Sequence, residues 1–220
     1  DMVLERFPAT AKLALAATII SIVLGVSAGI ISAVFSNSFL DYFFMTFSML
    51  GISMPVYWLG LILIVVLSLN FDLLPAGGYG SGDWTYLILP AFALGFRQAA
   101  KVARMTRSSM LEVIDKDYVK TARAKGLSEK VVVIKHALKN ALIPVITVIG
   151  TQLGYLLGGA VLTESVFSWP GLGRLAVNAV LKRDFPLIQG TVIFLAACFV
   201  LVNLLVDLSY GLLDPRIRYD

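Results

Sequence analysis

Residues 13–40 read LALAATIISIVLGVSAGIISAVFSNSFL, a stretch without Asp, Glu, Lys or Arg. Comparable charge-free runs recur at 42–71, 140–163 and 185–206. A helix needs about 20 residues to cross ~30 Å of hydrocarbon, so each run is long enough to span a membrane. Of the 220 residues, 58% are hydrophobic and 15% are charged, which indicates a membrane protein rather than a soluble domain.

A shorter charge-free run at 84–96 reaches spanning length if its helix continues to about Arg104. Arg97 and Lys101 would then either extend toward the membrane surface or face a polar interior. Runs of this length and continuity specify helices, because backbone groups inside a bilayer must be satisfied within the protein. The sequence therefore predicts an all-α membrane protein, a single polytopic domain over 1–220. About five transmembrane helices are predicted, at 11–34, 48–69, 84–105, 141–163 and 187–210.

The distribution of basic residues predicts how these helices are oriented. Eleven of the 18 Lys and Arg residues lie between Arg97 and Lys139. Since Lys and Arg collect on the cytoplasmic side of membrane proteins, this segment is predicted to be cytoplasmic. Alternating spans then assign the other segments: outside at about 70–83 and 164–186, inside at 36–42 and in the tail from Asp214. Asp1 is placed outside, so we expect a preceding span that this sequence does not include.

The cytoplasmic segment 108–140 has the sequence pattern of two short helices joined by a glycine turn. Gly126 is predicted to end the first helix in a left-handed conformation, and Ser128 to cap the second. Small or apolar residues recur at spacings of three and four, at Tyr118, Val119, Ala122 and Gly126. The residues alone leave two interpretations open. The hairpin either lies on anionic lipid headgroups or docks into a groove of a cytoplasmic partner.

The sequence lacks the residues that catalysis or metal binding would need. It contains no Gly-Lys dipeptide, and hence no P-loop, and neither an HExxH nor a CxxC motif. His136 is the sole histidine, for which we favour a structural or docking role, and Cys198 is interpreted as a buried structural thiol. We therefore predict that the chain is not an enzyme, holds no metal or cofactor and binds no nucleic acid.

Five stretches of the sequence resemble a known family. Residues 117–127, DYVKTARAKGL, and 136–144, HALKNALIP, closely resemble the EAA loop of bacterial ABC importer permeases, in particular the dipeptide, oligopeptide and nickel permease family. The same family is matched, in the same order, by LPAGG at 74–78, ESVFSWPGLGR at 164–174 and LDPRIRY at 213–219. Lys120-Thr121-Ala122 departs from the general Glu-Ala-Ala pattern, and Pro144 is displaced. Both departures fit the peptide and nickel branch.

This resemblance implies a type I ABC importer permease of the bacterial inner membrane with three kinds of protein partner. These are ATP-binding cassette subunits that bind ATP and Mg²⁺, a second permease subunit and an extracytoplasmic solute-binding protein. The segment expected to couple to the ATPase comprises Tyr118, Lys120, Thr121, Ala122, Arg123, Ala124, Lys125, Gly126 and Leu127. Small Ala122 and Gly126 would allow close approach, while Lys120 and Arg123 would meet polar groups of the partner.

The resemblance also implies a substrate class and outer docking residues. Di- or oligopeptides are the expected substrates, with nickel or glutathione as the alternative. The candidates for docking the binding protein are Gly77, Gly78, Trp169, Pro170 and Gly171. The competing interpretations are an ordinary glycine-rich loop for the first pair and aromatic anchoring at the membrane surface for the second group.

Gln152 lies near the middle of a predicted span. It is a candidate for lining the translocation path, and hydrogen bonding between helices is an equally good interpretation. A rival function from another class is a self-sufficient channel or secondary transporter. That function would require charged residues deep in the spans or internally repeated halves.

Overall fold

The computed structural model describes residues 1–213, apart from the side chains at 207 and 209–213. The predicted inside location of the tail from Asp214 therefore falls outside the described residues. Within the described part the chain forms helices joined by short loops, with a single 3₁₀ turn at Gly80–Gly82. The helices are α1 Met2–Val34, α2 Phe39–Ser53, α3 Val56–Asn70, α4 Thr85–Ile114, α5 Asp117–Ala124, α6 Glu129–Leu157, α7 Val161–Val166, α8 Leu172–Lys182 and α9 Phe185–Leu213.

Length and composition single out the helices that can cross a membrane. Among the described residues α1, α6 and the Phe185–Val206 part of α9 each satisfy both requirements, and α2 and α3 satisfy them when the two helices are taken together as one bent pair. The 30 residues of α4 are long enough, but this helix carries more charge. It packs between α1, α2 and α6 instead of lying open to lipid, so it completes the bundle as a fifth, enclosed helix.

The prediction of an unbroken span over 48–69 is wrong. The span begins at Phe39, where the Ser38 hydroxyl accepts a hydrogen bond from the Asp41 amide. It then bends by 103° between α2 and α3. Pro55 is the reason, because proline lacks an amide hydrogen and disfavours helical geometry in the residue before it. Met54 accordingly has extended backbone angles.

The prediction for the span at 141–163 is also wrong at its boundaries. This helix is continuous from Glu129, in the segment predicted to be cytoplasmic, and it ends at Leu157. A glycine pair follows, and Gly159 adopts a positive φ of 98°. The chain therefore leaves the span before residue 164 and forms the separate short helix α7.

Close packing between α1 and α4 forms the centre of the bundle. A side-chain Cβ added at Gly25 would lie 2.7 Å from the Ala99 carbonyl oxygen, and one added at Gly95 would lie 2.7 Å from that of Ala17. Glycine at these positions lets the two backbones meet, as small residues do between membrane helices. Because Ala17 meets Gly95 and Gly25 meets Ala99, the two helices run in the same direction. This orientation agrees with the predicted topology, in which both run inward.

Candidate translocation and docking sites

A cavity of about 540 Å³ lies between α4, α6 and the loop that leads into α7. Its volume is within the range of about 300–1,000 Å³ that is usual for small-molecule sites. Apolar side chains, including Leu94 and Leu156, form part of its wall. The polar part of the wall comprises Arg97, Gln98, Lys101, Gln152, Tyr155 and Thr163.

The helical repeat of α4 brings its polar residues onto the cavity. Leu94, Arg97, Gln98 and Lys101 follow spacings of three, four and seven, so they share one face of the helix. The neighbouring Gly95 and Ala99 lie on the face that packs against α1. Of the two alternatives for the basic residues, facing a polar interior is therefore the one that the structure adopts.

Gln152 lies on the cavity wall, opposite α4. Its backbone oxygen receives a long hydrogen bond of 3.5 Å from Gln98 Nε2, whereas its own side-chain Nε2 is buried without a partner in the described part of the chain. The interhelical hydrogen bond thus uses the Gln152 backbone oxygen and not its side chain. This placement agrees with a role in the translocation path, which stays a prediction.

The cytoplasmic hairpin is built as the sequence predicts at its turn. Helix α5 ends at Ala124, and Gly126 has a positive φ of 77°. A Cβ added at Gly126 would meet nothing within 4 Å of the chain itself. The predicted helix start is confirmed: Ser128 is the N-cap residue and Glu129 lies in the first turn of α6, although the Ser128 hydroxyl makes no capping hydrogen bond.

The hairpin is anchored by its own small core. Val119 and Ala122 are buried and pack with Ala33 of α1, Met110 of α4 and Ala137 of α6, among others. Ala122 therefore fills space inside the chain, and the expectation that it faces a partner is wrong. The packing joins the hairpin to the cytoplasmic ends of three long helices.

The basic residues of the hairpin also differ from the expectation. Arg123 Nε donates to Glu129 Oε1 at 2.7 Å, and its Nη1 donates to the Ile114 carbonyl at 3.3 Å, so this guanidinium has partners within the chain. Lys120 remains exposed. The exposed members of the predicted coupling segment are Tyr118, Lys120, Thr121, Ala124, Lys125, Gly126 and Leu127.

The segments predicted to dock a binding protein form an outer cap, defined here as residues 74–83 and 158–174. Trp169 is 2% exposed, its ring meets Tyr79 edge to face at 4.9 Å, and its Nε1–H donates to the Ala9 carbonyl at 2.9 Å. Gly171 is buried as well. Neither residue can reach a docked protein or the membrane surface directly. Docking of the binding protein and anchoring at the membrane surface, the two interpretations given for Trp169, are therefore both wrong.

The remaining docking candidates are less deeply placed. Gly78 donates its amide hydrogen to the Phe167 carbonyl at 2.7 Å, and Gly77 approaches the same carbonyl too closely for any side chain. These contacts hold the glycine pair against the 158–174 part of the outer cap. Both glycines are half-buried. Pro170 is also half-buried and borders two surface depressions beside Arg6.

Glu164 is the residue of the outer cap that the sequence analysis missed. It is fully buried, and its carboxylate accepts hydrogen bonds from Thr10 Oγ1 at 2.9 Å and from the Arg174 amide at 3.0 Å. Thr10 Oγ1 in turn accepts from the Leu172 amide at 2.8 Å. Burial raises the pKa of the Glu164 carboxyl, while hydrogen bonds from Arg174, Thr10 and Gly173 act in the opposite direction.

This arrangement places a carboxylate at the N-terminus of α8. An acidic group at this position satisfies free amides and interacts favourably with the helix dipole. A Cβ on Gly171 would lie 2.3 Å from Glu164 Oε1, so the approach requires glycine there. In the sequence Glu164 stands out only as the first charged residue after the run 140–163. That position does not reveal its hydrogen bond with Thr10, 154 residues away.

An ion pair and its hydrogen-bonded neighbours join the C-terminal part of α1, the start of α2 and the C-terminal part of α4. Arg107 forms two hydrogen bonds with Asp41, from Nε at 2.7 Å and from Nη2 at 2.8 Å. Asp41 also accepts a hydrogen bond from the Ser32 hydroxyl and one from the Asn37 amide at 2.9 Å. The side chain of Asp41 is 3% exposed, so the pair is largely desolvated.

Comparison with known proteins identifies the family. Residues 21–219 match the family described as binding-protein-dependent transport system inner membrane component. The chain is 45% identical over 219 residues to the glutathione transport system permease protein GsiC of Escherichia coli K12, covering 100% of this chain and 71% of that protein. It is 43% identical over 243 residues to the dipeptide transport system permease protein DppB of the same strain, covering 97% and 72%.

Solved structures confirm the helical fold. A chain of the inward-facing MetNI methionine ABC transporter superposes with a TM-score of 0.82 at 17% identity, covering 97% of this chain and 96% of that one. An amino acid ABC transporter crystallised with histidines gives 0.69 at 18% identity, covering 98% and 94%. The predicted family and the all-α membrane fold are both confirmed. The chain belongs to the binding-protein-dependent transport system inner membrane components, as a membrane-spanning permease subunit and not an enzyme.

Proposed function

We propose that this permease subunit imports di- or oligopeptides, glutathione included, across the bacterial inner membrane. The observation that carries the substrate class is the pair of relatives at 43–45% identity, one a dipeptide permease and the other a glutathione permease. Glutathione is itself a small peptide, so the two substrates share carboxylate and amide groups. The cavity between α4 and α6 offers groups that match this chemistry.

The proposed assembly has a partner on each side of the membrane. ATPase subunits bind ATP and Mg²⁺ and receive the hairpin, a second permease chain completes the pathway, and a solute-binding protein docks on the outer cap. The exposed face of α5 and the loop to Gly126 supports ATPase docking, because the core under it connects to α1, α4 and α6. A partner that favours one arrangement of these helices when ATP binds would shift the whole bundle.

Reconstitution tests the proposed function. The chain assembled with its partner permease, ATPase subunits and binding protein should import radiolabelled Ala-Ala or glutathione into proteoliposomes that contain ATP. The chain alone should import neither, with or without an ion gradient, because it has no site for ATP. Gradient-driven uptake by the isolated chain would instead identify a secondary transporter. Failure of the assembled complex to import either peptide would contradict the proposed substrate class.

Gly126→Leu tests the proposed docking of the hairpin. A left-handed conformation costs a non-glycine residue roughly 1–2 kcal/mol, and the leucine side chain would occupy space that the ATPase requires. We expect this variant to enter membranes normally and to lose most of its ATPase subunit on co-purification. Lys120→Glu should weaken association less, since an exposed ion pair contributes about 0–1 kcal/mol.

Gly82→Leu provides the matched control. Gly82 also has a positive φ, of 97°, and open space around its Cβ position, but it lies in the outer loop. It should therefore suffer similar strain and retain the ATPase. If the hairpin lies on lipid headgroups instead, Lys120→Glu should be more harmful than Gly126→Leu. Full ATPase retention in Gly126→Leu would contradict docking through this turn.

A further inference from the structure

Two positive charges face the cavity without a counter-charge. Arg97 and Lys101 are four residues apart on α4 and both line the cavity. No carboxylate among the described residues lies within 4.0 Å of either side chain. Like charges at this spacing repel each other, and unpaired charges deep in a membrane protein are costly. Arg97 is 12 residues beyond the start of α4, about 18 Å along a helix, and is thus far from the outer end.

Arg107, on the same helix, is an arginine whose role in this protein is structural. It lies ten residues after Arg97 and is held by two hydrogen bonds to Asp41. Arg97 and Lys101 make no such contact in the described part of the chain, and both are exposed to the cavity. Holding the helices together therefore does not account for these two cations.

Unpartnered polar groups lie beside the cations. Gln98 lies on the cavity wall and is 9% exposed. Its side-chain Oε1 has no hydrogen-bond partner among the described residues. Gln152 Nε2 and Thr163 Oγ1, on the opposite wall, are likewise buried without one. Buried polar atoms without partners are uncommon, and each is costly to leave unsatisfied.

We propose that Arg97 and Lys101 form a subsite for the carboxylate of the transported solute, in a cavity whose wall also includes Gln98 and Gln152. The inference rests on the proposed function, because it assigns the groups of a peptide to this cavity. An arginine fork can bind a carboxylate through two hydrogen bonds, and the neighbouring ammonium adds a third donor. The subsite would make the permease itself selective for solutes with a free carboxylate, independently of the binding protein.

Equilibrium dialysis on the purified permease–ATPase complex, without binding protein, measures this selectivity. The probes are radiolabelled Ala-Ala and its C-terminal amide, and the complex should bind the acid more tightly. In Arg97→Gln/Lys101→Gln we expect the ratio of acid to amide affinity to fall about ten-fold or more, because charge-assisted hydrogen bonds are lost. Arg97→Lys/Lys101→Arg keeps both charges and should keep most of the preference.

Arg104→Gln is the matched control. Arg104 is exposed on α4 one turn beyond Lys101 and is not part of the cavity wall, so its removal should leave the ratio unchanged. An unchanged ratio in the double glutamine variant, or an equal fall caused by Arg104→Gln, would overturn the subsite. Peptide uptake by the complete wild-type transporter is measured in parallel. Absence of uptake would reject the proposed function, while the dialysis result would still decide whether the cavity selects carboxylates.

Discussion

Replacing Glu164 with alanine is expected to destabilise the outer cap more than any exposed substitution in it. The Thr10 hydroxyl and the Arg174 amide would each lose their acceptor in a buried site. A buried donor left unsatisfied costs about 1–3 kcal/mol, so we expect the free energy of unfolding to fall by about 3 kcal/mol or more. Thermal unfolding of the purified complex in detergent measures the change.

Ser165→Ala is the control for this result. Ser165 is adjacent and exposed, and its hydroxyl donates to the Val161 carbonyl within α7. We expect its loss to have a much smaller effect. Glu164→Gln should lower the free energy of unfolding by an intermediate amount. Its side-chain amide keeps one acceptor oxygen but replaces the other with an NH2 donor, which would face the donors that Glu164 now accepts from. Equal unfolding temperatures for Glu164→Ala and wild type would show that the carboxylate does not hold the cap.

Replacing Asp41 with alanine should have an effect of similar size at the other side of the membrane. The Arg107 side chain, 28% exposed, would lose both of its hydrogen bonds to a carboxylate. Breaking a buried ion pair by removing one partner costs about 3–5 kcal/mol, and we expect the lower part of this range because Arg107 keeps some contact with solvent. The unfolding free energy of the complex in detergent again provides the measurement.

A double variant separates the ion pair from simple loss of packing. Asp41→Ala/Arg107→Leu removes both charges, so it should be more stable than Asp41→Ala alone. Asp115→Ala, at an exposed aspartate at the end of α4, should change stability little. If the double variant is less stable than Asp41→Ala, the cost does not come from an uncompensated Arg107.

The helical membrane fold could be predicted because its signals are local. Charge-free runs mark the spans, and a basic segment marks the cytoplasmic side. The turn at Gly126 also follows from local rules, since a left-handed residue after a helix favours glycine. The break at Met54–Pro55 had a local signal as well, the proline itself, but the prediction used only the length of the charge-free run from 42 to 71.

The construction of the outer cap could not be predicted in the same way. Trp169 looked like a surface residue because an exposed aromatic at a membrane boundary is common. Its position depends on a hydrogen bond to Ala9, 160 residues away, and on the Tyr79 ring. Contacts over such separations leave no periodic pattern in a single sequence. The same applies to Ala122, whose small size suits a partner's groove and the chain's own core equally well.

The polar cavity could be predicted from the sequence only in part. Gln152 could be suspected from its position within a span, and Arg97 from its charge. That they share one cavity depends on how α4 and α6 pack, which the sequence does not reveal. The spacing of four residues places Arg97 and Lys101 on a shared helix face, whereas only the structure identifies the opposite wall.

The first helix is fastened at both of its ends. Toward its N-terminus Thr10 donates a hydrogen bond to Glu164 of the cap, and toward its C-terminus Ser32 donates one to Asp41 of α2. Glycine contacts hold its middle against α4. We therefore expect α1 and α4 to move as one rigid body during transport, with few internal degrees of freedom. The bend at Met54–Pro55 interrupts the helix between α2 and α3, and we expect alternating access to change the angle between these two helices while α1 and α4 keep a fixed shape.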